Sequence, residues 1–178
     1  MSIDFGLLVI RILFGMPIAA HGAQKLFGWF GGYGLKGTGG FFEAQLGFRP
    51  GVPFAAAAGL SEMGGGILLT LGLLTPFGSA AVLSAMLVAI VSVHAKNGFF
   101  AMANGFELPF LYAASAVGLA FSGPGGYSFD SWLGLTFLNE GYLVEAILVL
   151  AVLGAAATLA SRRQVEEQAS AVWMLAPV

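Results

Sequence analysis

Six side chains in this sequence could do chemistry where such side chains are rare: Arg11, His21, Lys25, Glu62, His94 and Glu107. Each lies within or at the edge of a long apolar run, and an ionisable group placed in a bilayer is costly enough that it tends to face a bundle interior and carry function. At 100° per residue, Arg11, His21 and Lys25 share one helical face, with His21 about 15 Å along the axis from Arg11. Glu62 is flanked on its own helix by Gly59, Gly65 and Gly66, small residues that permit a close helix or a small cavity beside the carboxylate. Rise per residue sets Arg11 and Glu62 at similar depth, so Arg11 is the expected counter-ion of Glu62. His21, Glu62, His94 and Glu107 are expected to converge on one pocket, with Lys25 at its mouth.

Such a pocket suits a quinone head group, which needs hydrogen-bond donors, a proton acceptor and an apolar groove. Glu62 would accept the proton with Arg11 as its counter-ion, His21, Lys25, His94 and Glu107 would hold the head group, and Phe27, Phe99, Phe100 and Phe106 would surround it. A transition metal is the alternative for two imidazoles and two carboxylates, but no Glu-x-x-His spacing is present and Glu62 lies deeper than the histidines, so no metal is assigned. Plain structural roles also account for each residue: a buried pair for Arg11 with Glu62, wet interfacial tips for the histidines, and a helix-start carboxylate for Glu107.

The elements that position these groups follow from composition. Of 178 residues, 58% are hydrophobic and 9% charged, with 27 Gly, 16 Phe and no Cys, and mean hydropathy is +0.88; a soluble domain carries about 25% charge. An all-α integral membrane bundle is the expected fold, joined through small residues. A net charge of −2 offers no basic field for nucleic acid. Without cysteine there is no dithiol relay, iron–sulfur cluster or thiolate metal site, and no covalent cofactor is expected.

A spanning helix takes about 20 apolar residues. Five stretches approach that: Ile3 to Gln24, read as a retained span and not a signal peptide, Val52 to Leu74, Pro76 to Ala95, Phe106 to Ser122, and Gly141 to Ala160. Lys25, Lys36, Arg49, Lys96, Arg162 and Arg163 then fall on one side and Asp4, Asp130 and Glu140 on the other. By the positive-inside rule this gives a multi-pass cell-membrane protein with its N-terminus outside and C-terminus cytoplasmic. Within the Gly28 to Gly51 loop, Thr38 to Leu46 could form a short interfacial helix capped by Thr38. The preceding glycines match no dinucleotide fingerprint, and Trp29, Phe30 and Tyr33 read as interface anchors. The tail from Gln164 reads as solvated.

Taken together these residues resemble the DoxX family of small membrane proteins. Its first-helix pattern is similar to Arg11, Gly15, His21, Gly22 and Lys25; its second to Glu62, Gly65, Gly66, Gly72, Leu73 and Thr75; its fourth-helix opening to Glu107 and Pro109; and the following loop to Gly123, Pro124, Gly125, Ser128 and Asp130. The resemblance implies a four-helix membrane core over residues 1–130, associated with redox systems. To this the sequence adds a connection with a fifth transmembrane helix over 131–161 and a cytoplasmic tail over 162–178. The expected function is therefore a membrane subunit of a redox assembly, with the bilayer, a protein partner and a quinone as its associates and homo-oligomerisation open. A non-catalytic scaffold docking a larger complex is the alternative, and a small proton-coupled transporter a third.

Overall fold

The computed structural model describes residues 3–163; the tail expected to be solvated, from Gln164, lies outside them. Long apolar runs have no water to satisfy their backbone, so they fold as helices that close their own hydrogen bonds. Among the described residues seven α-helices result: α1 (Ile3–Phe27), α2 (Gly34–Leu46), α3 (Gly51–Leu71), α4 (Thr75–Ala89), α5 (Glu107–Ser122), the short α6 (Phe129–Trp132) and α7 (Gly141–Ala160). No strand occurs among the described residues. Four helices, α1, α3, α4 with its extension to Asn97, and α7, are long and apolar enough to cross a membrane. At 16 residues, α5 rises only about 24 Å.

Helix α1 packs antiparallel on α3 through glycines spaced two turns apart. A Cβ on Gly22 would fall 2.6 Å from the Gly59 carbonyl oxygen, and one on Gly15 would fall 2.7 Å from that of Gly66. Only bare backbone admits this approach, the small-residue seam typical of membrane helices. The register it fixes sets Gly15 against Thr70 and the Arg11 guanidinium against Gly72, nearly three turns beyond Glu62. Helix α4 lies against α3, α5 and α7, and Ile18, Leu69, Val82, Met86, Ala116 and Val144 form the centre of the core.

Thr38 does not cap a helix. Helix α2 begins a turn earlier, at Gly34, and Thr38 is buried within it. The helix packs on α3, with Gly39 against Val52. Starting at Gly34 lets the glycine-rich turn finish close to Gly28, and Glu43 then accepts the Gly51 amide at 3.0 Å, capping α3 from outside.

The two ends of the bundle are tied differently. At the end where α1 starts, Arg11 is 1% exposed and donates through Nη1 to the Pro124 carbonyl at 2.7 Å and through Nη2 to that of Tyr127. Gly72 leaves room for the guanidinium, since any Cβ there would collide with it. Asp130, fully buried, accepts from the Leu74 amide at 2.7 Å and from the Thr75 amide and hydroxyl at 3.0 and 2.8 Å. It thereby caps α4 and holds Leu74 at φ 47°, a left-handed conformation costing about 1–2 kcal/mol. At the other end, Arg162 Nε donates to the Leu46 carbonyl at 2.8 Å, its guanidinium lies over the Phe48 ring, and the Arg163 amide donates to Gly47. The last turn of α7 is thus fastened to the α2–α3 connection.

Candidate functional site

The expected pairing of Arg11 with Glu62 is not formed. The α1–α3 register sets Arg11 too far along the bundle, and loop carbonyls together with the nearby charge of Asp130 serve it instead. The depth argument fails because the two helices are staggered: Arg11, two turns into α1, already lies level with the end of α3 at Leu71 and Gly72. The partner of Glu62 is Lys25, with Nζ 2.5 Å from Oε2. Side chains on a helix lean toward its N-terminus, so Lys25, starting about a turn from Glu62, reaches back along α1 to meet it. The carboxylate is 5% exposed and the lysine side chain 26%. One partner is therefore sealed and the other touches water.

This ion pair stands between two cavities, since Lys25, Glu62, Ala89 and His94 line both. The larger, of about 740 Å³, is walled by Tyr33, Phe41, Phe42, Phe48 and Phe54 from α2 and α3 and their flanks, and by small residues of α3 and α4. Thr158 of α7 completes it, which explains why the fastening by Arg162 bears on the site. In the smaller, of about 200 Å³, His21, Asn104 and Tyr112 meet Lys25, Glu62 and His94, with Met86 also in its wall.

Four of the six sequence-derived residues, His21, Lys25, Glu62 and His94, are thus brought together, while Arg11 and Glu107 line neither cavity. Glu107 Oε2 accepts the Ala101 amide at 2.8 Å, so it folds the loop that closes the smaller cavity. The aromatic surroundings also differ from expectation. Phe99 packs against Phe100, Phe106 and Phe110 and Phe27 against Trp29, and the rings facing the ion pair come from the α2 hairpin.

Each histidine has a defined orientation. His21 Nδ1 lies 3.0 Å from Gln24 Oε1, and the Gln24 amide nitrogen donates to the Phe30 carbonyl, so Nδ1 carries the proton. His94 Nδ1 donates to the Asn104 carbonyl at 2.9 Å. Nε2 remains unbonded in both rings among the described residues. His94 also ends a π-helical turn, Ile90–His94, a local widening of the helix that recurs at functional sites; Ser92 joins it by bonding back to Val88.

Tyr112 was not anticipated. It meets His21 edge to face, with centroids 6.2 Å apart, and shares the smaller cavity with Glu62. A phenol inside an apolar run carries no formal charge to flag it, although its place one turn after Pro109 was visible. Among the described residues no group of three or more His, Asp or Glu side chains is arranged to hold a metal.

A bundle of membrane-spanning helices enclosing a buried carboxylate, paired with a partly exposed ammonium between two cavities, defines a multi-pass membrane protein with an internal polar site. A DoxX family model matches residues 6–95, half of the chain, and the protein belongs to that family. The matched stretch contains Lys25, Glu62 and both histidines, whereas Tyr112 and Thr158, which complete the two cavities, lie beyond it. Two Haemophilus influenzae proteins of uncharacterised function are similar. One is 34% identical over 105 residues, 54% of this chain and 78% of the relative; the other is 30% identical over 76 residues, 43% of this chain and 50% of the relative. No solved structure matches significantly.

Proposed function

We propose that the protein is the membrane subunit of a redox assembly and binds a quinone in the larger cavity, head group against the Lys25–Glu62 pair. The observation that carries this reading is the meeting of a buried carboxylate and its partly exposed ammonium partner with an aromatic chamber of about 740 Å³, a size within the usual range of ligand sites. The donor set fits: an ammonium can hydrogen-bond a ring oxygen, a carboxylate can take or give a proton, and Phe41, Phe42 and Phe54 offer ring faces. A bound quinone supplies the two-electron, two-proton chemistry that no residue of this cysteine-free chain possesses. Electrons would come from a partner protein, which the bundle anchors.

Lys25 fixes the Glu62 oxygens through their hydrogen bond, Glu62 is the proton-exchanging group, and His94 orders the edge shared by both cavities. All six lysines and arginines other than Arg11 sit at or beyond the end of the bundle that carries this pair, which supports a cytoplasmic placement of that end, with the N-terminus outside. Reporter fusions at the C-terminus test the orientation. The binding reading is tested by titrating nanodisc-embedded protein with a short-chain quinone and following Trp29 fluorescence. Saturable quenching lost in Glu62→Gln supports it; the same unsaturated, partition-like quenching in both proteins overturns it.

A further inference from the structure

The smaller cavity adds His21, Asn104 and Tyr112 to the Lys25, Glu62 and His94 that it shares with the larger. Its titratable and charged groups come from four helices: His21 and Lys25 from α1, Glu62 itself from α3, His94 from the extension of α4, and Tyr112 from α5. Its rim includes Asn104, exposed in the loop between α4 and α5, and the exposed His21. Its floor is Met86, 4% exposed. A volume of about 200 Å³ holds several waters at about 30 Å³ each, and a polar lining with several partners is what keeps such waters in place. The larger cavity, by contrast, presents mainly aromatic and small side chains to whatever fills it.

We propose that this second chamber is an aqueous proton path, conducting protons from the loop-side surface through water, His21 and Tyr112 to the carboxylate of Glu62. The path rests on the quinone reading for its purpose but not for its existence. His21 has the unbonded Nε2 needed to pick up a proton while Nδ1 stays on Gln24, and the Tyr112 hydroxyl can accept one hydrogen bond and donate another. Each transfer moves one proton and no electron: a water at the mouth loses it, Glu62 gains it, and the bond from Lys25 to Glu62 loses its ionic character while the ammonium keeps its charge. Lys25 and Glu62 together then act as the partition, admitting protons from one chamber to the other without letting the apolar ligand meet bulk water. Tyr112 and His21 are positioning and relay residues here, acting through Glu62.

The absence of cysteine makes the test clean. Single cysteines are introduced at Met86, which lines the chamber floor, and at Val82, one turn along the same helix, 1% exposed and lining neither cavity. A small charged methanethiosulfonate reagent should modify Met86→Cys in native-lipid vesicles about tenfold faster or more than Val82→Cys, because close-packed core excludes water and reagent alike. Asn104→Cys reports that the reagent reaches the mouth. A second measurement needs no cysteine. After a downward pH jump, the infrared carboxyl band assigned to Glu62 by its loss in Glu62→Gln should rise about tenfold more slowly in Tyr112→Phe or His21→Gln, since positioned proton donors contribute at least this much. Equal, slow labelling at Met86 and Val82, or an unchanged protonation rate in both relay variants, overturns the proposal. Neither readout involves quinone, so failure of the quinone titration and failure of the path are separate outcomes.

Discussion

Replacing Lys25 by Met removes the only partner, among the described residues, of a carboxylate that is 5% exposed while keeping most of the side-chain volume. Breaking a fully buried pair from one side costs about 3–5 kcal/mol. Lys25 is 26% exposed, so water can reach the abandoned carboxylate from that side, and the expected loss is about 2–3 kcal/mol after that screening. This is a change of about 30- to 150-fold in the unfolding equilibrium. Glu62→Gln should cost less, about 1–2 kcal/mol, because the freed ammonium can swing its charge toward water on a flexible stem. The double variant should be more stable than the two losses added together, with a coupling of about 1–2 kcal/mol. Equilibrium unfolding of ligand-free protein by SDS titration in mixed micelles measures all four corners of the cycle. A Lys25→Met loss below about 0.5 kcal/mol, or strict additivity, would refute the claim that the carboxylate is buried and the pair mutually dependent.

Other parts of the structure carry their own expectations. Arg11→Met orphans two loop carbonyls and should destabilise by about 3 kcal/mol, yet leave quinone affinity within about twofold (below 0.5 kcal/mol) because Arg11 lies away from both cavities; isothermal titration on the folded fraction checks this. Asp130→Ala strips the α4 cap of three hydrogen bonds and should cost about 2 kcal/mol, read from the same SDS titration. Gly22→Val forces α1 from α3 and should cost about 3 kcal/mol, with loss of saturable quinone binding as Lys25 is carried out of reach of Glu62. Arg162→Ala releases the last turn of α7 from the Leu46 carbonyl and should speed quinone release by about 3- to 10-fold with little change in association, measurable by stopped-flow fluorescence.

The helices themselves were legible because hydropathy and length are direct consequences of the bilayer as solvent, and α7 begins and ends where its apolar run does. The grouping of His21, Lys25, Glu62 and His94 was legible for a related reason: few polar side chains occur in those runs, and they had to find one another. Which of them pair was not. The two Nη atoms of Arg11 are bonded by carbonyls 113 and 116 residues away in a loop whose path depends on Asp130 capping α4, a long-range arrangement with no local signature. The choice of Lys25 for Glu62 follows from the register of the Gly15–Gly22 and Gly59–Gly66 seam, which counting from helix ends does not reproduce. The aromatic wall was misplaced because α2 folds back on α3, bringing Phe41, Phe42 and Phe48 to the cavity. The π-turn that sets His94, and the role of Tyr112, depend on packing between α4 and α5.

The central claim is that the Lys25–Glu62 pair forms the polar end of a ligand chamber. A structure of the protein isolated from its native membrane with lipids retained tests it most directly. The account predicts planar density between the α2 aromatics and the ion pair, with a ring oxygen within hydrogen-bonding distance of Lys25 Nζ and an apolar tail along α3 and α4. An acyl chain of bulk lipid filling the chamber, or side chains collapsed into it with Lys25 turned to solvent, would contradict it.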